Sequence, residues 1–243
     1  MNYEEIIQKL HSLANPENAK GMARYGINLK NNLGISIYQL RPLAKEIGKN
    51  HALALRLWDS QIHDARLLAC FIDDPDKVTT EQMDSWAGDF DSWDICDQAC
   101  TSLFDLSSLA YEKAYQWANH EKEFIKRAAF SLIAGLAVHD KNATDKNFEC
   151  FLPLLIQHAV DDRKYVNKAV NWALRNIGKR NFHLNQAALI TAKEMQKMDS
   201  KSARWIASDA IRELTSQKVI QRLKRKKKRK NKRPRSGITC LVL

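Results

Sequence analysis

Glycine and proline are both scarce in this 243-residue chain, at 8 and 5 residues. Alternating runs of β-branched residues are scarce too, which excludes a sheet-rich fold and leaves an all-α protein. No apolar run approaches a membrane span, and MNYEEIIQKLHSLANPENAK at the N-terminus lacks the apolar core of a signal peptide. The five cysteines are odd in number and lack metal-ligand spacing. Cys70, Cys96, Cys100 and Cys150 are therefore expected as buried, reduced thiols. The seven histidines are scattered, and none pairs with a cysteine or an acid at ligand spacing, so no metal and no cofactor is assigned.

The net charge is +11, but its placement is more informative than its size. Residues 222–235, RLKRKKKRKNKRPR, hold 11 Lys and Arg, which leaves 28 basic and 28 acidic residues in the remainder. That remainder is polarised. Residues 56–112 carry 3 basic against 13 acidic side chains, and residues 163–218 carry 12 against 4. A basic C-terminal third suits an anionic partner, while the acidic middle must turn its charge away from such a partner.

Five segments look alike: Ala65-RLLACFI, Cys96-DQACTSLF, Lys126-RAAFSLIAG, Asn167-KAVNWALRN and Ala203-RWIASDAI. Their starts lie 31, 30, 41 and 36 residues apart. Each reads as an amphipathic helix with small central residues, preceded by another helix such as Tyr111–Asn119 or Phe151–Ala159. Helix pairs at this period predict an α-solenoid of HEAT-like pairs with a concave trough over residues 1–220. Asp73-Asp74-Pro75-Asp76, Asp140-Lys141-Asn142 and Gly178-Lys179-Arg180-Asn181 read as turns between helices. Asn15-Pro16 and Arg41-Pro42 are expected to break the N-terminal region into short helices.

In Ser92-Trp93-Asp94-Ile95-Cys96-Asp97, a four-residue step places Trp93 and Asp97 on one helix face. The second helix of each pair is expected to line the trough. That gathers Trp93, Asp97, Arg127, Lys168, Trp172 and Arg175 on one surface. Taken singly, each has a plainer reading: a core tryptophan, a surface acid or a solvated cation. Together they form a chemical set. The cations suit phosphates. The indoles offer flat walls to a sugar or a cationic ring. Asp97 can stabilise positive charge developing at a sugar carbon and orient a water there. Glycoside hydrolysis ordinarily uses two carboxylates, because the leaving group must be protonated. An alkylated purine is already cationic and leaves neutral, so one carboxylate suffices through electrostatic preorganisation. Trp58, Trp86, Trp117 and Trp205 are read as core or interface residues.

Met22-ARY, the Trp58-D segment, Ser92-WDICD, the Lys126-RAA helix and Asn171-WALRNIGK occur in order across residues 20–218. In that order and spacing the chain resembles the AlkD-type DNA alkylation repair family, HEAT-like glycosylases that excise alkylated purines. The resemblance implies that Asp97 is the catalytic carboxylate, that Trp93 and Trp172 pack around the lesion nucleotide, and that Arg127 contacts the backbone beside it. It implies Tyr25 as an aromatic that approaches DNA, duplex DNA containing alkylated purines as the partner, and no base-flipping pocket. The competing reading is a non-catalytic HEAT-type module that binds nucleic acid or protein.

Residues 221–243 form a separate basic tail in which dense like charge predicts disorder. Three readings compete for it. It can serve as a non-specific nucleic-acid arm, as a nuclear localisation patch in a eukaryote, or, through the C-a-a-X pattern Cys240-Leu-Val-Leu, as a prenylated membrane anchor. The last ranks lowest, since a repair enzyme held on a membrane makes little sense. The chain is expected to be a monomer, associated with the nucleoid in a prokaryotic cytoplasm or nuclear in a eukaryote.

Overall fold

Paired helices recur along residues 1–232, the part of the chain that this computed structural model describes. Among these residues every regular element is helical. Three helices precede the regular pairs: α1 (Tyr3–Ser12), α2 (Pro16–Ala23) and α3 (Ile37–Ile47). The pairs follow as α4 (His51–Asp59) with α5 (His63–Ile72), α6 (Thr80–Gly88) with α7 (Trp93–Ser102), and α8 (Ala110–Ala118) with α9 (Glu123–His139). In the fourth, the first member is split into α10 (Asp145–Glu149) and α11 (Leu152–His158), packed on α12 (Lys164–Gly178). The fifth is α13 (Phe182–Lys197) with α14 (Lys201–Leu214), and α15 (Gln217–Lys232) closes the described chain.

All five look-alike segments fall on second helices: α5, α7, α9, α12 and α14. Their central small residues explain the stacking. Ala69, Ala99, Ala128, Ala134, Ala169, Ala173, Ala207 and Ala210 are fully buried, which lets successive second helices approach closely. Three of the first helices are started by local side-chain caps. Asn50, Thr79 and Asn181 accept from backbone N–H groups at the starts of α4, α6 and α13. Aromatic residues bridge the pairs. Trp58 stacks on Trp86 with ring centroids 3.9 Å apart, and the contact runs on through Phe104 to Trp117. These three tryptophans are buried, as expected for core residues.

Three expectations are corrected. Arg41-Pro42 does not break a helix, because Pro42 lies inside α3. The carbonyl that loses its partner there belongs to Tyr38, an exposed residue whose backbone water can satisfy. Cys150 is exposed, whereas Cys70, Cys96 and Cys100 are buried. Cys150 caps the C-terminal end of short α10 and so escapes the core. The stretch after Val219 is helical as far as Lys232, longer than its charge density predicts. Val219 and Leu223 anchor one face of α15 in the last repeat. Lys226 Nζ donates to the carbonyls of Lys179 (2.8 Å) and Arg180 (3.2 Å) just past the end of α12. Burial, reinforced by Arg222, Lys141, Arg180 and Lys179, pushes the Lys226 ammonium down to about 8. Cys240 and the C-a-a-X pattern lie outside the described residues.

Candidate nucleic-acid site

α7 starts at Trp93, so Asp97 sits one turn further along the same face. Both line a cavity of about 310 Å³ with Tyr25, Arg127, Tyr165, Lys168 and Trp172. The start of α7 is fixed from behind. Asp94 accepts from Ser92 Oγ at 2.7 Å and lies 2.9 Å from Nε2 of buried His63 on α5. Burial alone would raise Asp94 and lower His63. The ion pair outweighs it, leaving Asp94 below and His63 above their ordinary values. Two thiols tie α7 to α9: Cys96 Sγ reaches the Phe124 carbonyl at 3.6 Å, and Cys100 Sγ reaches that of Ala128 at 3.5 Å. Burial pushes the Cys100 thiol well up, which makes it inert.

Asp97 lies on the floor of the cavity. Its Oδ1 accepts from Arg127 Nε at 3.0 Å and from Ser131 Oγ at 2.8 Å, and its Oδ2 accepts from Arg127 Nη2 at 2.7 Å. The third nitrogen, Arg127 Nη1, donates to the Tyr165 carbonyl at 2.7 Å. An ionised carboxylate offers about four acceptor positions. Three are filled here, and the remaining one is on Oδ2. Burial keeps the Asp97 carboxyl above the usual carboxylate range, even though Arg127 and Ser131 favour its charged form.

The aromatic walls come from two directions. Trp172 rises from α12 on the side of Lys168 and Tyr165, while Trp93 and Tyr25 come from the other end of the sequence. Trp93 Nε1 donates to the Tyr25 carbonyl at 2.9 Å, which brings the loop between α2 and α3 over the cavity. Asp64, fully buried, accepts from the backbone N–H groups of Leu33 and Ile35 at 2.7 and 2.8 Å and anchors the far end of that loop. Gly26 has φ +78°, and a Cβ there would stand 2.1 Å from Tyr165 Oη. Only glycine gives this turn both its backbone angle and its clearance.

Six of the seven candidate residues thus meet at one cavity. Arg175 does not. It pairs with Glu213 at 2.5 Å and Asp209 at 3.4 Å, holding α12 to α14. Three residues off Trp172 carries it round to the repeat interface. Arg127 meets the group as a buried residue with all three nitrogens committed, rather than as an open cation. Tyr165 and Ser131 were missed. Tyr165 lies three residues before Lys168 and seven before Trp172, and Ser131 lies four after Arg127, so helical spacing was the available signal. Trp205 is exposed rather than core. Among the described residues no three His, Cys, Asp or Glu side chains gather as a metal set.

About half of the acids in the middle of the chain serve as acceptors within the fold, while Asp59, Asp76, Glu81, Asp91 and Glu112 stay exposed. Asp73 lies 2.7 Å from His51 Nδ1, and Asp84 accepts from Lys113 at 2.6 Å and Trp117 Nε1 at 2.8 Å. Asp89 accepts from Trp58 Nε1 at 2.9 Å, and Asp105 lies 2.6 Å from His139 Nδ1. With Asp64, Asp94 and Asp97, these carboxylates act as internal acceptors.

The sequence pattern defining the family described as DNA alkylation repair enzyme matches residues 6–214. The chain belongs to that family. The chain is 26% identical over 136 residues to the uncharacterized protein Lin0241 of Listeria innocua. It is 24% identical over 136 residues to the uncharacterized protein Lmo0209 of Listeria monocytogenes. Each alignment covers 54% of this chain and 61% of the relative, so the chain spans about three-fifths of these relatives' length. A solved structure described as a new family of proteins related to the HEAT-like repeat DNA glycosylases, with affinity for branched DNA structures, superposes with a TM-score of 0.73. It shares 21% identity, with 87% of this chain and 95% of that one covered. At that identity the likeness concerns the fold, and it establishes the HEAT-like α-solenoid.

Proposed function

We propose that this member of the DNA alkylation repair family is a DNA glycosylase acting on N-alkylated, cationic purines in duplex DNA. The observation that carries the reading is the Asp97 carboxylate, held by Arg127 and Ser131 on the floor of an aromatic-walled cavity, with one acceptor position left. The damaged nucleotide's sugar sits between Trp93 and Trp172, and Tyr25 closes the N-terminal side. Lys168 neutralises an adjacent phosphate. As the bond from C1′ to the ring nitrogen breaks, its electron pair discharges the alkylated base, which leaves neutral. Positive charge develops on the sugar, where the fixed carboxylate stabilises it without reorganisation. Water oriented by Asp97 adds at C1′ and releases its proton to solvent. Arg127 favours the ionised form of Asp97 in a site whose burial opposes that charge. Base contacts are not required, since the lesion's own charge selects it. The enzyme would act as a single chain wherever the chromosome lies, with the basic α15 region adding non-specific affinity.

A second reading, a DNA-binding module without catalysis, draws on the same pair: Arg127 offsets the charge that Asp97 would present to a sugar cation. The structural neighbour's affinity for branched DNA fits that alternative. Incubation with methylated duplex DNA separates the two. The glycosylase releases free methylated purine and leaves abasic sites; the module retains DNA and releases no base.

A further inference from the structure

Trp205 is 46% exposed on α14, although tryptophan is among the costliest side chains to leave in water. It lines a separate cavity of about 450 Å³ together with Lys164, Lys168, Lys201 and Asp162, inside the span of roughly 300–1,000 Å³ typical of ligand sites. Lys168 also lines the Asp97 cavity, so the two sites adjoin on neighbouring inner helices. Two carboxylates of the surrounding helices and loops are committed elsewhere: Asp161 pairs with Lys126 and Arg163, and Asp209 with Arg175 and Arg212. Asp199 does not line the cavity and is fully exposed beside Arg204. Three lysines thus share the cavity with one acid, Asp162, and a half-exposed indole.

We propose that this cavity is a second nucleotide site, in which Trp205 stacks on a nucleobase and Lys164, Lys168 and Lys201 hold its flanking phosphates. An indole accepts any base face, whereas the lysines require a polyanion, and nucleic acid supplies both at this spacing. Paired duplex DNA hides its base faces, so the occupant is a nucleotide out of the stack: at a gap, a frayed end or a single-stranded segment. The site concerns undamaged DNA and does not depend on base excision by Asp97.

The test is fluorescence anisotropy of a labelled ten-residue oligothymidylate with the full-length chain. It is run at about 0.3 M salt, where screening reduces the contribution of the basic α15 region. Trp205→Ala is expected to weaken binding about ten-fold, the scale of one lost base–aromatic stack, while Trp205→Phe stays within about three-fold of wild type. An oligothymidylate carrying 5-iodouracil should crosslink to the peptide containing Trp205. Thermal melts of both variants check that the fold is retained, as expected for a half-exposed side chain. Affinity of Trp205→Ala within two-fold of wild type would overturn the proposal. So would an equal loss in Trp205→Phe, because a ring that stacks would then have restored nothing.

Discussion

Arg127 grips Asp97 as a fork, with Nε on Oδ1 at 3.0 Å and Nη2 on Oδ2 at 2.7 Å. Both side chains are largely buried, so neither charge is well solvated without the other. Removing one partner of a buried pair leaves an uncompensated charge. Arg127→Ala should therefore destabilise the fold by about 3–5 kcal/mol, read from urea unfolding. Adding Asp97→Asn should recover part of that loss. A single variant as stable as wild type would mean that the pair is solvated.

The protonation of Asp97 gives a second prediction. Burial raises its carboxyl above the ordinary carboxylate value. In the proposed mechanism base release uses the ionised form, so the rate should fall with decreasing pH at a higher pH than a free aspartate would dictate. Stability runs the other way. The folded state holds this proton more tightly than the unfolded chain, so the Asp97 contribution is present below the unfolded pKa and lost as pH rises through the folded one. The difference in stability between wild type and Asp97→Asn, followed across the acid range, isolates that contribution. A rate profile with its acid limb at the ordinary aspartate value would contradict the raised carboxyl.

Gly26 couples the N-terminal loop to the cavity. Gly26→Ala combines a positive φ with a Cβ placed 2.1 Å from Tyr165 Oη. The backbone penalty alone is about 1–2 kcal/mol. Tyr165 or the loop must also shift, and Tyr25 with it. Reduced DNA affinity, with only a modest drop in unfolding temperature, is expected. Wild-type affinity would show that Tyr25 does not contribute to binding.

The repeats were legible because small residues recur at helical spacing in every second helix, and Trp93 and Asp97 were legible as a pair for the same reason. What the sequence hid was pairing across repeats. The commitment of Arg127 to Asp97, 30 residues away, and of Arg175 to Glu213 depends on how successive helices stack. Neither is written in local spacing. The acidic run of residues 56–112 looks hostile to DNA, yet about half of its carboxylates serve His51, Lys113, Trp58 and other donors within the fold. Trp205 resembled a core residue because an indole in an amphipathic segment usually is one. The helical start of the tail was masked by its charge, since only Val219 and Leu223 anchor it.

The basic C-terminal region should govern salt sensitivity more than selectivity. Removing residues 217–243 should weaken binding to undamaged duplex DNA and flatten the dependence of log K on log salt, because fewer counterions are released. Release of alkylated base under single-turnover, saturating conditions should change little. An unchanged slope would place the main phosphate contacts in the trough itself.

The central claim is that one carboxylate, Asp97, performs the chemistry. The most direct measurement is the single-turnover rate of methylated-purine release from alkylated duplex DNA, for wild type and for Asp97→Asn, with DNA binding measured alongside. Loss of a preorganised charge in a buried site should lower the rate on the order of 10²–10³-fold, while affinity is retained. Equal rates in the two proteins, or no release by wild type, would contradict it.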